Sequence, residues 1–309
     1  PHLVTFDGLS YSFQAVGEYK AIESATDDFE IQARFEPIGP EVSVTTALAT
    51  LVDGQKVGFY SDGGLRVEID DQVVTIEDGE SIPVGNSEIF RQRDGFTLVY
   101  AGEDNEVNDG DNQLFVQFSE IEENTVITFF QAYIDNDLAG NIQGLLGNSN
   151  DDLSDDIALP DGTVLDRPLQ FDQLYGEFRE AFRIQDVSES FFNYAEGNGP
   201  DTFFDPDFPS APITVDNLDP DERAAAEEIV RNAGIPEGTP AFDAAVLDLV
   251  LTGEIAFIEG AANRPPSDEE VRIENLVVTN ANDSGDGSLR SAIAAANDSP
   301  GKDIITFNR

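Results

Sequence analysis

The sequence predicts a mainly β protein, an antiparallel β-sandwich followed by a small helical segment. Three observations carry that expectation. Short runs of alternating apolar and polar residues fill residues 1–135, and alternation of period two marks a half-buried strand. Asp-Gly turns recur between those runs, at Asp53-Gly54, Asp62-Gly63-Gly64, Asp78-Gly79, Asp94-Gly95 and Asp109-Gly110. Such pairs accept the left-handed backbone that tight hairpins require. Helical periodicity begins only after about residue 217, so the strands are joined by turns and not by crossover helices.

Strand alternation is clearest at 42–48, 65–69, 96–100 and 114–118. These segments predict hairpins without fixing which strands pair. From residue 141 the texture changes to small residues and carboxylates, ending at the turn Asp161-Gly162. A Phe- and Tyr-rich stretch at 171–208 predicts irregular chain that lays Phe178, Phe182, Phe191, Phe192 and Tyr194 back on the sheet. Residues 217–262 predict helices. Asp219 supplies an N-cap, Pro220 a first-turn proline and Asp221-Glu222 acids at the positive end of the dipole. Gly234 ends the first helix, and further helices are expected at about 240–250 and 253–262. A linker is expected over 263–274, rich in Pro and charge at its start, before β character returns at 275–309.

Composition excludes several functions. The 309 residues contain no Cys, Met or Trp, so disulfides, zinc ribbons and thiol nucleophiles are absent. His2 is the single histidine, so a Ser-His-Asp triad exists only if His2 serves it. There are 62 acidic and 16 basic residues, a net charge of −46, which repels nucleic acid and anionic membranes. The most apolar stretch, 241–262, is interrupted by Asp243, Asp248, Glu254 and Glu259, so no direct membrane insertion is expected. Of the basic residues only Lys20, Lys56 and Lys302 are lysine. Such a surface stays soluble in salt, or holds divalent cations. Twenty-two Phe argue for packed cores despite the charge.

The densest set of oxygen ligands is Asn148, Asn150, Asp151, Asp152, Asp155 and Asp156. Hard oxygens in this number suit Ca²⁺, and the same run also reads as a solvated acidic loop. It is not an EF-hand loop, because Leu153 and Leu159 stand where that motif needs Gly and Glu.

Two motifs carry a family resemblance. The opening Pro1-His2-Leu3-Val4-Thr5-Phe6-Asp7-Gly8-Leu9-Ser10-Tyr11-Ser12-Phe13 resembles the start of a von Willebrand factor type D domain. Gly144-Leu145-Leu146-Gly147-Asn148-Ser149-Asn150, with Asp155-Asp156 following, is similar to that family's second signature. The resemblance covers roughly residues 1–200 and implies a calcium-binding β domain of an extracellular or cell-surface protein. Carried over by position, it implies Ca²⁺ ligands at Asp7, Asn148, Asn150, Asp155 and Asp156, with Asp152 contributing through its backbone carbonyl. The family's cysteines fall here on Gln143, Leu146 and near Gly17, so disulfide-linked multimers are excluded. A disulfide grafted at Gly17 and Gln143 is the expected test of that register. The family also shows cleavage before the Pro with which this chain begins, and a fragment boundary explains the same start.

The helical segment 217–262 resembles the C8-like helical companion of such domains. Val277 to Ile293, with its Gly-Ser-Leu-Arg-x-Ala-Ile core, resembles the opening of right-handed parallel β-helix regions in large bacterial surface proteins. Together these likenesses imply a non-catalytic bacterial module of adhesion or assembly, with other surface or matrix proteins or glycans as partners. The alternative is the accessory region of a secreted β-helix carbohydrate-active enzyme, with Arg290 as the basic residue of a polysaccharide-lyase-like site. A glycosidase using Glu120, Glu122 and Glu123 is a third possibility that the abundance of acids makes uninformative.

Overall fold

In a computed structural model of the chain, the structure describes residues 1–258 except 62–64, 93–94, 103–106, 108–110 and 123–124, together with 275–278, 304–307 and some positions from 280 to 293. The expected linker and the second half of the third helix lie outside the described residues, as do parts of the Gly-Ser-Leu-Arg segment and the side chains of Glu120, Glu122 and Glu123.

Strands β1 (His2–Val4) and β2 (Ser10–Ser12) form an antiparallel hairpin of their own. A seven-stranded sheet follows, made of β3 (Gly17–Ser24), β4 (Glu30–Pro37), β5 (Ser43–Val52), β6 (Gln55–Tyr60), β7 (Arg66–Ile69) and β8 (Gln72–Val74) in meander order. The five-stranded sheet holds β9 (Ser81–Val84), β10 (Ser87–Gln92), β11 (Gly95–Val99), β12 (Gln113–Glu122) and β13 (Thr125–Tyr133). The short β14 (Ile142–Gln143) then returns to the first sheet, beside β3. Every pairing in the two large sheets is antiparallel, as the Asp-Gly turns require. At the β5–β6 turn both Asp53 (φ 49°) and Gly54 (φ 79°) are left-handed, the turn whose twist matches two right-twisted strands.

The sheets share one apolar core, as expected of a sandwich. Phe59 of β6 meets Phe96 of β11 with ring centres 5.7 Å apart, and the Tyr100 hydroxyl donates to Thr50 of β5 at 2.9 Å. β4 is buried on both faces. Ile31, Ala33 and Phe35 enter the main core, while Gln32 and Arg34 are equally buried on the other side. The aromatic segment is the cause: Ile184, Phe192, Phe191 and Tyr194 cover that outer face against Tyr60, Ala47 and Ala49. Phe178 and Phe182 enter the main core instead. The stretch therefore packs on the sheet as expected, but it is not wholly irregular. Gln173–Phe178 forms a π-helical turn running into α1 (Arg179–Phe182), and α2 spans Pro200–Phe203.

Helices α3 (Pro220–Asn232) and α4 (Pro240–Thr252) match the periodicity closely. Asp219 Oδ1 accepts from the amides of Asp221 and Glu222 at 2.9 and 3.2 Å. The pair builds a small core of its own from Ala226, Val230, Ile235, Phe242, Val246 and Ile258. Phe257 reaches away from it to Val44, beside Ile38 and Phe129. Strands β15 (Asn275–Val278) and β16 (Ile304–Phe307) pair in parallel.

The register overturns one expectation. Gln143 pairs with Glu23, whereas Gly17 lies at the other end of β3, opposite Phe35. Six residues of strand separate Glu23 from Gly17, roughly 20 Å, far beyond the ~7 Å Cα separation that a disulfide tolerates. The early cysteine position of the family therefore does not map onto Gly17 as the partner of Gln143.

Candidate metal site

The hairpin β1–β2 delivers Asp7. Its connecting turn, Thr5 to Leu9, is closed by the Leu9 amide donating to Thr5 Oγ1 and the Thr5 amide donating to Leu9 O, each at 2.9 Å. The turn lies on the loop after β14: the Phe6 amide donates to Leu146 O at 3.0 Å, and the Tyr11 hydroxyl donates to Leu145 O at 2.6 Å in a buried contact. Asp7 then accepts two backbone amides, from Asn150 to Oδ2 and from Asp151 to Oδ1, each at 3.1 Å. Left-handed Ser149 (φ 54°) and Asp151 (φ 66°) turn this part of the loop.

Five of the six predicted ligand residues converge. Asn148 Nδ2 donates to Asp155 Oδ1 at 3.1 Å, and Asn150 Nδ2 donates to both Asp155 oxygens at 3.2 and 3.0 Å. Asp156 lies beneath, 3 % exposed, and accepts from Thr5 Oγ1 at 2.6 Å on Oδ2. The sixth joins them through its backbone alone, its amide donating to Asn150 Oδ1 at 2.8 Å. Asp152 faces solvent and accepts from the Ser154 amide and hydroxyl at 2.9 and 2.6 Å, which holds its carboxyl below the usual range. Its backbone carbonyl accepts from the Asp155 amide at 3.3 Å.

Two oxygens in the cluster are orphans. Asn148 Oδ1 and Asp156 Oδ1 are both buried without a well-formed hydrogen bond. A buried acceptor without a partner costs about 1–3 kcal/mol, so native folds seldom leave one, and here two lie in one loop. Burial, reinforced by the neighbouring Asp7 carboxylate, pushes the Asp156 carboxyl up to about 6, although the Thr5 hydrogen bond opposes the shift. Among the described residues no group of three or more acidic or histidine side chains is placed to hold a metal ion by itself. Two of the converging side chains are asparagines, and an asparagine supplies a neutral oxygen of the kind Ca²⁺ accepts. The donor set therefore fits a hard divalent cation.

Sequence reasoning missed Thr5 and Gly147 as parts of the site. Gly147 (φ 79°) has no side chain to interfere: a Cβ there would lie 2.3 Å from Asp156 Oδ1. Thr5 and Gly147 both stand inside the two motifs, so position in the pattern was the available signal. Thr5→Val is expected to raise the Ca²⁺ dissociation constant about tenfold, the order of a lost second-layer contact, while Thr5→Ser retains wild-type affinity. Calcium titration followed by calorimetry reads the difference.

His2 forms a second polar centre on the same hairpin. Its Nδ1 lies 2.8 Å from Ser12 Oγ and its Nε2 lies 3.0 Å from Asp248 Oδ1 of α4. A serine, a histidine and an aspartate are thus hydrogen-bonded in series, but in the contact between hairpin and helix. Two clefts among the described residues, of about 550 and 240 Å³, are lined by none of the three. No helix among the described residues is long and apolar enough to cross a membrane.

Comparison with known proteins agrees with this architecture. The human Sushi domain-containing protein 2 is 49 % identical over 37 residues, 12 % of this chain and 4 % of that protein. The chain thus spans a small fraction of the length of that relative. The von Willebrand factor type D domain family matches residues 1–163, the β1–β2 hairpin, both sheets and the whole acidic loop. The chain belongs to the von Willebrand factor type D domain family.

Proposed function

We propose that this chain is a non-catalytic, calcium-stabilised module of a large bacterial secreted or cell-surface protein. It serves adhesion or assembly, with other surface or matrix proteins or glycans as partners. Family membership supports an extracellular interaction module. The observation that carries calcium is the pair of orphaned buried oxygens, Asn148 Oδ1 and Asp156 Oδ1, in a loop tied to Asp7 from the far end of the domain. Asp7, Asn148, Asn150, Asp155 and Asp156 would hold the ion. Its double charge would offset the repulsion between the Asp7 and Asp156 carboxylates. Asp152 would add only its backbone carbonyl, which accepts one long hydrogen bond from the Asp155 amide at 3.3 Å and keeps a second lone pair, because its side chain is turned to Ser154.

The parallel pairing of β15 with β16 supports a β-helix beginning at 275, since parallel strands belong to such coils and not to the antiparallel sandwich. The bacterial origin rests on the likeness of residues 277–293 to bacterial surface proteins. Absence of cysteine is consistent with export that needs no oxidising folding machinery.

The test is a calcium titration of the full chain by calorimetry at pH 7.5 and pH 5, with Mg²⁺ as the control. One Ca²⁺ per chain is expected at pH 7.5, with Mg²⁺ binding much more weakly because it dehydrates reluctantly. Binding should weaken at pH 5, because Asp156, titrating near 6, must lose its proton to bind a cation. Equal binding of both ions, or binding unaffected by Asp7→Ala, would refute the assignment.

A further inference from the structure

The hairpin β1–β2 is hydrogen-bonded to neither large sheet. A two-stranded hairpin has little stability alone, so its position is set by what grips it. Leu3 and Tyr11 seat the middle of the hairpin in the main core, and two further grips hold its ends. One grip is the acidic loop, through Thr5–Asp156, Asp7 with the Asn150 and Asp151 amides, and Tyr11–Leu145 O. The other is α4, which packs on β2 and places Asp248, 8 % exposed, on His2 at 3.0 Å. His2 and Ser12 are cross-strand partners in the hairpin, and their side chains are also joined at 2.8 Å. A displacement of one strand is therefore passed to the other.

The helices pack as a unit of their own. Their apolar residues form a separate core, and they hold the β domain through the His2–Asp248 contact, the α4–β2 packing and the Phe257 cluster. From this arrangement we propose that the β1–β2 hairpin couples the metal loop to the helical pair: Ca²⁺ at the Asp7 end fixes the hairpin, and the fixed hairpin docks α4 through His2 and Asp248. The coupling rests on the calcium assignment above. It makes the helical pair a calcium-dependent surface, docked when the loop is loaded and released when it is not. The face released on undocking includes His2, Ser12, Val44 and Ile38.

Hydrogen–deuterium exchange on the full chain tests this, in Ca²⁺ and in chelator with Mg²⁺ at matched ionic strength. Strands β10 and β11 of the far sheet serve as the internal reference. Ca²⁺ is expected to slow exchange both in 145–156 and in 240–252, the latter about tenfold relative to the reference, within the usual 5–150-fold range of coupling between two sites. Linkage is reciprocal, so Asp248→Ala should weaken Ca²⁺ binding by the same factor. Phe257→Ala, which opens a different contact, should act in the same direction. Protection of 145–156 without protection of 240–252 would overturn the coupling and leave the calcium site standing. An unchanged Ca²⁺ affinity in both variants would do the same. Protection of neither segment would overturn both.

Discussion

Saturating Ca²⁺ is expected to raise the melting temperature of this protein by roughly 8–16 °C over the chelated form. An ion that binds only the folded state at about 1,000 times its dissociation constant adds roughly 4 kcal/mol, and each kcal/mol moves a domain of this size by about 2–4 °C. The chain has no cysteine with which to staple its loops, so the metal is a large share of a typical stability of about 5–15 kcal/mol. Asp7→Ala and Asp156→Ala should each remove most of the calcium-specific shift. Asp151→Ala should remove little, because Asp151 contributes its backbone amide to the site and its side chain is exposed. Mg²⁺ at equal ionic strength controls for general screening of the −46 charge. Equal shifts from the two ions, or a full calcium shift in Asp7→Ala, would reduce the cluster to a solvated turn.

Arg34→Ala is expected to destabilise the protein by roughly 3–5 kcal/mol, the cost of stranding a buried charge whose partner is removed. Arg34 is 2 % exposed and Glu18 is fully buried. Arg34 Nε and Nη2 each lie 2.8 Å from Glu18 Oε1, although Nη2 makes no well-directed hydrogen bond. Tyr194 donates to the other carboxylate oxygen. The guanidinium is enclosed by the rings of Phe203 and Phe192, 3.6 and 4.6 Å from its carbon. Burial raises the Glu18 carboxyl above its ordinary range, opposed chiefly by Arg34.

Removing Arg34 should raise the Glu18 carboxyl further. For a carboxyl whose folded pKa lies above its unfolded value, stability is present below the unfolded pKa and lost as pH rises through the folded one. The Arg34→Ala defect should therefore shrink on acidification. Denaturant unfolding at pH 7.5 and pH 5 reads it. The double variant Glu18→Gln, Arg34→Met should recover most of the loss, because no unpaired charge remains. A single variant as stable as the wild type would show that the pair contributes nothing.

The same pair shows where reading the chain stops. Local signals are short-range and were legible. Alternation and Asp-Gly turns located β5, β7, β11 and β12 within a few residues, and Asp219-Pro220 and Gly234 bounded α3, because turn and cap chemistry acts over two to four residues. The motifs placed Asp7 with Asn148, Asn150, Asp155 and Asp156, and the structure brings these five together.

What the sequence could not determine depends on partners distant in the chain. Arg34 and Glu18 read as two ordinary charges in strands, and only the aromatic segment folding over β4 makes them a buried pair. Asp156 is buried against Thr5, 151 residues away, and its orphaned oxygen, like that of Asn148, belongs to the folded loop. Asp152 carried the same oxygen chemistry as its neighbours, yet loop geometry turned it toward Ser154. The displacement of Gly17 from Gln143 is likewise a matter of register, which pairing across sheets decides and local propensity does not. Composition and spacing determined which residues form the elements and which atoms are available as ligands. Tertiary structure alone decided which of those atoms lost their water, because desolvation is a property of the packed assembly and not of any one segment.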